Sequence, residues 1–398
     1  MMNARFFALL LCTAGLLTLS SGCVRTYQNV TLSQQKLAGD DNISFDNARI
    51  LVESDISFSD GSQVRFTNCI IEFRGASVVA SNSTLELTNC AVRYSGDMEA
   101  VVKVTGGSVK VFGSSFKAKN QSKSAVFACD GGSDVHIVGC RFTSVSQALS
   151  GEVGNLIISS SEFSRCDTND AELFDVKGKE CSISACEFND IVSENTHVLS
   201  LWFDKVTLTG CVVSHVEGTG MFVTIDADSF SARGNSFFQN NSELLNVGAT
   251  SILLAGNSFV NCLENILYAH GRWWSDKTIE VVIVGNAFER NQDQLLFYSD
   301  ATSTIRNNTF VNNIAGFMFD VDSNAYYELC EGGNYISGNQ AWACFRVSKK
   351  QGEVLQRKDE HIAEMNDFTL TVYAAYFHRG GSEVGSGYRA ADNLQYWQ

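Results

Sequence analysis

The sequence has 398 residues, no proline, 32 glycines and a formal net charge of −15 at pH 7. This charge argues against a nucleic-acid-binding protein, which needs clustered Lys and Arg against phosphate, and the chain would repel polyanions unless basic residues or bound cations intervene. The mixture of Val, Ile, Phe, Ser, Thr and Asn argues against a long helical bundle, because these residues favour strands and tight turns.

The N-terminus predicts export. Arg5 precedes an apolar run that is too short to span a bilayer with ordinary flanks, so residues 1–22 are interpreted as a signal peptide. The segment ends at Cys23 and resembles a bacterial lipoprotein signal, in which the cysteine becomes the lipidated first residue. Ser20 departs from that motif, which prefers a bulky aliphatic residue there, so cleavage and secretion without lipidation is the alternative. We expect a protein of the bacterial cell envelope, anchored through Cys23 to the outer membrane or cell surface.

A self-similar pattern follows the N-terminal segment, from residue 43 to about 336. Its last position, called the anchor below, is Phe or aliphatic and recurs at intervals from 21 residues (Ile50 to Ile71) to 29 residues (Phe259 to Phe288). Periods of this size indicate a solenoid, and the apolar alternation is typical of strands. Residues 43–345 are therefore predicted to form about 13 stacked parallel coils, and residues 23–42 a tether and N-terminal cap. The anchors are Ile50, Ile71, Val92, Phe116, Phe142, Phe163, Phe188, Val213, Phe237, Phe259, Phe288, Phe310 and Ile336.

The position two residues before each anchor predicts an internal ladder of thiols that gives way to amides. Stacked coils would align these residues, and buried Cys behaves as a small hydrophobe while stacked Asn amides can satisfy one another. A disulfide framework is the alternative in an exported protein with 13 cysteines. Zinc is disfavoured because no cysteine pair has ligand spacing. The predicted ladder contains Ala48, Cys69, Cys90, Ser114, Cys140, Ser161, Cys186, Cys211, Asn235, Asn257, Asn286, Asn308 and Asn334.

A row of acids is predicted on the outward face of the second strand of several coils. Stacked carboxylates repel unless a cation lies between them, and oxygen-only clusters suit Ca²⁺. The alternative is a set of solvated turn residues that keep the protein soluble. The predicted row comprises Asp175, Asp204, Asp226, Asp300, Asp320 and Asp322, of which Asp226, Asp300, Asp320 and Asp322 are the candidate calcium ligands.

The longest interval between anchors contains an insertion with two adjacent Trp beside basic, acidic and His residues. Aromatic faces can stack on sugar rings, Arg and Lys can hold carboxylate or sulfate, and Lys or His can abstract a proton. The alternative is that one or both Trp cover the hydrophobic side of the solenoid. The candidate catalytic residues are His270, Arg272 and Lys277, and the candidate ligand-binding residues are Trp273, Trp274, Asp276 and the nearby Tyr298.

The C-terminal residues 346–398 break the repeat. They are interpreted as a cap over the last coil, which would otherwise expose unpaired backbone. Within them, 354–365 predicts a short helix and 367–377 a strand.

Repeats such as Gly234-Asn235-Ser236-Phe237 and Gly256-Asn257-Ser258-Phe259 resemble those of right-handed parallel β-helix proteins, the group that includes the pectate lyases and the chondroitinase B/alginate lyase family. The resemblance implies an all-β fold, a single right-handed parallel β-helix. In the lyases, it implies proton abstraction beside a uronate carboxylate by Lys or Arg, often with Ca²⁺ neutralising that carboxylate. No segment matches the lyase Lys and Arg motif, so those roles are not carried over, and one fold hosts many functions.

Two functions remain open at this point. The first is a non-catalytic envelope lipoprotein whose β-helix binds an acidic glycan or a surface protein. The second is a Ca²⁺-dependent polysaccharide lyase, or a hydrolase, acting on a uronic-acid-containing glycan. The first is preferred because no acid/base constellation is identifiable in the sequence.

Overall fold

A computed structural model describes residues 29–32, 35–37, 42–58, 61–96, 98–119, 122–169, 171–271, 279–298, 301–322, 325, 328–329, 332–349, 369–372, 376–379 and 382–383. The chain divides into two compact units, Met1–Ile157 and Ile158–Gln398. Each unit contains a run of parallel coils, and each is described by itself below.

The strands that begin before the unit boundary have 3 to 14 residues, and most of the shorter ones alternate buried and more exposed side chains, as expected when one face of each strand lines the core. They are β1 (Asn29–Leu32), β2 (Gln35–Leu37), β3 (Asn42–Asp46), β4 (Arg49–Val52), β5 (Ile56–Phe58), β6 (Gln63–Thr67), β7 (Ile70–Arg74), β8 (Val78–Thr88), β9 (Ala91–Ser95), β10 (Ala100–Phe112), β11 (Ser115–Ala118), β12 (Ala125–Val138), β13 (Arg141–Thr143) and β14 (Gln147–Ser159).

Most of the short strands of the second unit repeat the same alternation. They are β15 (Glu162–Ser164), β16 (Phe174–Ser184), β17 (Glu187–Val192), β18 (Leu199–Thr209), β19 (Val212–Arg233), β20 (Ser236–Phe238), β21 (Asn241–Ala255), β22 (Ser258–Val260), β23 (Leu267–His270), β24 (Ile279–Val284), β25 (Ala287–Glu289), β26 (Leu296–Tyr298), β27 (Ala301–Arg306), β28 (Thr309–Val311), β29 (Ile314–Asp322), β30 (Tyr335–Lys349), β31 (Thr369–Val372), β32 (Tyr376–Arg379) and β33 (Ser382–Glu383).

The predicted anchors are confirmed as the register of the coils within each unit. In the first unit Ile71 pairs with Ile50 and Val92, and Phe116 with Phe142. In the second unit the parallel pairing runs unbroken from Phe163 through Phe188, Val213, Phe237, Phe259, Phe288 and Phe310 to Ile336. All thirteen anchors are buried. The solenoid has about 11 turns, slightly fewer than the 13 coils that the anchors predict.

The predicted amide ladder is confirmed in the second unit. The side-chain oxygen of Asn286 accepts from the backbone N–H and the side-chain amide of Asn257, at 2.8 and 2.9 Å. The side-chain amide of Asn286 in turn donates to the Leu254 carbonyl at 2.9 Å and to the Asn308 side chain at 3.0 Å. The same pattern joins Asn235 to Asn257 and Asn308 to Asn334. Each amide therefore bonds the coil on either side of it.

A second ladder lies three residues after the anchors. Asn291 donates to Asn313 at 3.1 Å and to the Phe259 carbonyl at 2.9 Å, and Asn313 donates to Asn339 at 2.8 Å. All three side chains are buried and fully within the core. The sequence signal for this ladder was the Asn three residues after several anchors, which the prediction of a single ladder overlooked.

The described cysteines are free thiols, so the disulfide alternative is wrong for them. Burial raises the pKa of Cys129 to about 12 and that of Cys262 to about 11, and it also raises the pKa of Cys181, whereas the hydrogen bond with Cys90 lowers the pKa of Cys69 to about 7. Cys129, Cys181 and Cys262 therefore act as small apolar residues rather than as reactive groups. The free cysteines are Cys69, Cys90, Cys129, Cys140, Cys166, Cys181, Cys186, Cys211 and Cys262.

A sharp corner precedes the first ladder in every described coil, and its residue has a left-handed backbone. Most of these corners are Gly or Asn, the residues that adopt this conformation most readily. Ala185 is an exception at φ 50°, whereas Gly210 in the next coil takes φ 63° with open space where a Cβ would lie. The corners are Asn47, Asn68, Asn89, Gly113, Gly139, Ser160, Ala185, Gly210, Gly234, Gly256, Gly285, Asn307 and Gly333.

Replacing Ala185 by Gly is expected to stabilise the second unit by about 0.5–1 kcal/mol, because the left-handed penalty of Ala exceeds the entropy cost of Gly. Urea denaturation followed by circular dichroism measures the change. Ala287→Gly is the matched control, since Ala287 lies in a strand without a left-handed backbone, and it should destabilise. A loss of stability in Ala185→Gly would contradict the strain argument.

The two ends of the solenoid differ from their predicted boundaries. Parallel pairing already begins with β1 and β2, which lie in the segment predicted as a tether. At the other end β30 continues to Lys349, and β31 and β32 pair with it in parallel. The predicted helix at 354–365 and the signal segment with Cys23 lie outside the described residues. Among the described residues, no helix has the length and apolar character needed to cross a bilayer.

Candidate functional site

The second unit presents one strand face with aromatic and polar outward side chains, called the aromatic strip below. Several of its residues alternate with buried ones, as Trp202 does between Leu201 and Phe203, whereas Ser200, Asp226 and Asp320 are themselves buried. The strand register aligns them in two columns, with neighbours about 4.8 Å apart. One column contains Asp175, Ser200, Thr224, Asn246, Tyr268, Phe297 and Asp320, and the other Lys177, Trp202, Asp226, Gly248 and His270.

Three rings form a contiguous surface at one end of the strip. The ring centroid of Tyr268 lies 4.7 Å from that of Phe297 and 5.4 Å from that of His270, with interplanar angles of 37° and 44°. All three side chains are half-buried, so they keep part of their faces toward solvent. Tilted rings at these distances attract one another and hold a fixed apolar platform.

The His270 ring occupies the space over Gly248, where any other residue would have a side chain. A Cβ on Gly248 would lie 2.7 Å from Cε1 of the His270 ring, so only glycine leaves room for it. The two ring nitrogens are engaged: Nδ1 lies 2.8 Å from the Gly271 carbonyl oxygen and Nε2 lies 3.2 Å from Oδ1 of Asn246. Both partners are acceptor oxygens that hold the ring in place, and the role of His270 as a base stays a prediction.

Trp202 stands three coils from His270 in the same column, at roughly 14 Å from the strand spacing. It is 42% exposed, and its indole N–H donates to the Ser200 hydroxyl at 3.0 Å. Between Trp202 and the three rings lie small polar residues, of which Asn246 donates to the Met221 sulfur at 3.0 Å. The half-buried Thr224 and Asn246 and the buried Asp226, 4% exposed, form the floor between them, called the polar floor below. The strip therefore has an aromatic side chain at one end of this floor and a three-ring platform at the other.

The predicted row of stacked acids is not found among the described residues. Asp226 lies between Trp202 and Gly248 in its column, and Asp320 aligns with Phe297 in the other column. Four coils separate these two acids, roughly 19 Å at the strand spacing, whereas Ca²⁺ ligands lie within about 2.6 Å of the ion. Asp300, which the predicted row includes between these two acids in sequence, lies outside the described residues, so the calcium site stays a prediction.

The predicted ligand-binding residue Tyr298 points inward. Its side chain is 2% exposed, and the outward position on the same strand belongs to Phe297. Every residue of Leu295-Leu296-Phe297-Tyr298 is apolar or aromatic, so the sequence did not reveal which of the two faces each one takes.

Most of the remaining predicted site lies outside the described residues. This applies to Arg272, Trp273, Trp274, Asp276 and Lys277, and to the candidate calcium ligand Asp300. Asp322 is placed only as the last residue of β29, and its partner in the register is Ser348. Within the described residues, no group of three or more His, Cys, Asp or Glu side chains is arranged to hold a metal ion.

The sequence analysis missed a group of carboxylates in the same coils as the strip. Burial raises the pKa of Glu264, and the charges of Asp293 and Glu243 raise it further. Glu243 also accepts from the side-chain amide of Asn265 at 3.1 Å. These acids are far apart in sequence and carry no motif, so only the register of the coils relates them.

Comparisons with known proteins bear on the fold of these coils. A family model described as "Right handed beta helix region" matches residues 166–341, which is less than half of the chain. The fold is a right-handed parallel β-helix, as predicted. The description of that family model names a fold and assigns no activity.

No curated protein matches the chain. One similar solved structure is a double mutant of the tailspike protein of the E. coli bacteriophage HK620 in complex with a pentasaccharide. The two share 12% sequence identity with a TM-score of 0.31, over 88% of this chain and 73% of that one. A score this low carries no functional argument.

Proposed function

We propose that the protein is a non-catalytic, exported envelope lipoprotein that binds a glycan along the aromatic strip. The observation that carries the proposal is the exposed Trp202 and the ring platform of Tyr268, Phe297 and His270 at either end of a polar floor. Aromatic faces pack against the apolar faces of sugar rings, and hydroxyl and amide groups between them exchange hydrogen bonds with sugar hydroxyls. An open strand face also suits an extended chain better than a small, enclosed ligand.

Replacing Trp202 or Phe297 by Ala is expected to weaken glycan binding about tenfold, since each ring contributes on the order of 1 kcal/mol or more of stacking. A glycan array with the full chain identifies the ligand, and titration calorimetry with the selected oligosaccharide measures the change.

Tyr335→Ala is the matched control, because Tyr335 is 44% exposed on an anchor strand of the same unit and lies outside the strip. Its affinity should equal that of the unchanged protein. Unchanged glycan affinity in both Trp202→Ala and Phe297→Ala would contradict binding along the aromatic strip. An array without any glycan ligand would favour the surface-protein partner instead.

Anchoring in the envelope is part of the same proposal and is supported by the apolar N-terminal run that ends before Cys23. Metabolic labelling with a fatty acid should mark the protein, and Cys23→Ser should abolish the label and release the protein from the membrane fraction. Labelling that persists in Cys23→Ser would contradict lipidation at this residue.

A hydrolase acting on the same glycan is the second candidate. The carboxylates Glu243, Glu264 and Asp293 in the coils of the strip favour it, because glycosidases use a pair of carboxyl groups, and burial and the charges of Asp293 and Glu243 raise the pKa of Glu264. If incubating the protein with the glycan produces new reducing ends, and the Glu264→Gln variant produces none, the protein is a hydrolase and the non-catalytic proposal is wrong. Growth of the ultraviolet absorbance of an unsaturated uronate would establish the lyase, and its loss on chelation would show a dependence on Ca²⁺.

A further inference from the structure

One outer face of the first unit is basic although the chain as a whole is acidic. It is formed by the outward residues of the anchor strands β4, β7, β9, β11 and β13, and is called the basic face below. Among the described residues of the first unit, six exposed cations lie on these strands or directly after them, against two acids, Glu53 and Glu72. The cations are Arg49, Arg74, Arg93, Lys117, Lys119 and Arg141.

The register concentrates three of these cations. Lys117 pairs directly with Arg93 on the preceding coil, and Ser115, two residues before Lys117, pairs with Arg141 on the following coil. The backbones of neighbouring coils are about 4.8 Å apart. Among the described residues, neither Arg93 nor Lys117 has an acidic partner within ion-pair distance. Like charges directly opposite each other on neighbouring strands destabilise a sheet, so this arrangement is costly unless an anion offsets it.

The acids of the face are already occupied by its other cations. Glu72 accepts from Lys119 at 3.0 Å and from Arg74 at 3.2 Å, and Arg74 also reaches Glu53 at 3.3 Å. The hydrogen bonds from Lys119 and Arg74 hold the pKa of Glu72 below its usual range, so this carboxylate is ionised at neutral pH. Glu72 also pairs with Arg93 in the register, so its single charge is shared among Lys119, Arg74 and Arg93. Lys117 lies between Arg93 and Thr143 in its column and has no acid beside it there.

We propose that the basic face binds the carboxylate or sulfate groups of an acidic polysaccharide. The assignment to a polysaccharide rests on the proposed glycan-binding function, whereas the anion site rests on the basic face alone. Arg and Lys side chains hold such groups by charge-assisted hydrogen bonds, and Arg can do so bidentately. A duplex nucleic acid fits less well, because its closely spaced phosphates would also meet the acids of a chain with net charge −15.

The test uses polygalacturonate as the carboxylate probe, dextran sulfate as the sulfate probe and neutral dextran as the uncharged probe. Calorimetric titration of the full chain should show binding of at least one charged probe that weakens with added salt, and none of neutral dextran. The double variant Arg93→Ala/Lys117→Ala should reduce that affinity by about tenfold or more, as expected when two charge-assisted hydrogen bonds are lost.

Lys103→Ala/Lys110→Ala is the matched control. It removes an equal number of positive charges from β10 of the same unit, outside the basic face, and should change the affinity for the charged probe by less than about twofold. Glu72→Gln provides a gain in the opposite direction, because it releases Lys119 and Arg74 and should tighten binding several-fold.

Unchanged affinity in Arg93→Ala/Lys117→Ala, or an equal loss in the control, would overturn the anion site. Tighter binding of duplex DNA than of either acidic polysaccharide at the same salt concentration would overturn the polysaccharide assignment. Trp202→Ala separates the two proposals, because it lies in the other unit and should leave the response to Arg93→Ala/Lys117→Ala intact. A failure of the aromatic strip and a failure of the basic face therefore show in different variants.

Discussion

Replacing Asn286 by Ala is expected to destabilise the second unit by about 4 kcal/mol, since several buried polar groups lose their partners at once. The Asn257 backbone N–H and side-chain amide lose their common acceptor, and the Leu254 carbonyl loses a donor. Asn286 is 1% exposed, so water does not readily replace these bonds. Urea denaturation monitored by circular dichroism measures the loss, and hydrogen exchange shows whether it is confined to the adjoining coils.

Two further variants make this prediction specific. Cys140→Ala removes a ladder residue of the first unit whose thiol donates weakly, at 3.3 Å, to the Val138 carbonyl, and should cost only about 1 kcal/mol. Asn286→Asp keeps the shape but replaces the donating amide by oxygen, so the folded state favours the protonated carboxyl. Its folded pKa is then raised, and its deficit should be smallest below the unfolded pKa of about 4 and grow as pH rises. Equal losses in Asn286→Ala and Cys140→Ala would contradict the distinction between amide and thiol ladders.

Replacing Phe259 by Ala is the second change with a large expected effect, about 3–5 kcal/mol of destabilisation. Its ring stacks between Phe237 and Phe288 with centroid distances of 4.9 Å on both sides, and it is fully buried. The substitution removes the ring from both stacks and leaves a cavity that the parallel coils cannot close without moving their backbones. Chemical denaturation measures the change in the free energy of unfolding.

Phe238→Ala is the matched control for Phe259→Ala. Phe238 follows an anchor of the neighbouring coil, points outward and is half-buried, so its removal should cost less than about 1 kcal/mol. A cost for Phe238→Ala as large as that for Phe259→Ala would show that the anchor stack contributes no special stability. Phe259→Leu should lie between the two, because it refills part of the cavity.

The fold was predictable from the sequence because its repeating positions are also its most constrained ones. An anchor such as Phe288 must meet the anchors of two neighbouring coils, so the same residue type returns at each turn and the period is visible. The amide ladder was predictable for the same reason. The second ladder was missed because Cys262 interrupts its Asn residues, although the Asn291 side chain still accepts from the Cys262 backbone N–H.

The candidate site was less predictable because its residues do not repeat. Trp202 and His270 belong to one column, but the residues between them are Asp226 and Gly248, which share no chemistry that a pattern could show. The basic face was missed for a related reason. Arg93 and Lys117 are 24 residues apart, and only the alignment of their coils makes them neighbours.

The corner before the ladder has a further consequence for how such a chain can diversify. Intervals between anchors vary from 21 to 29 residues, yet the left-handed corner and the ladder residue after it keep their places in each coil. Within every turn, contacts with both neighbouring turns constrain the corner, the ladder residue and the anchor. The outward positions and the connections between strands make no such contacts in the core, so substitutions there are less constrained. A new binding surface can therefore evolve one turn at a time, by substitution or insertion, without changing how the other turns pack.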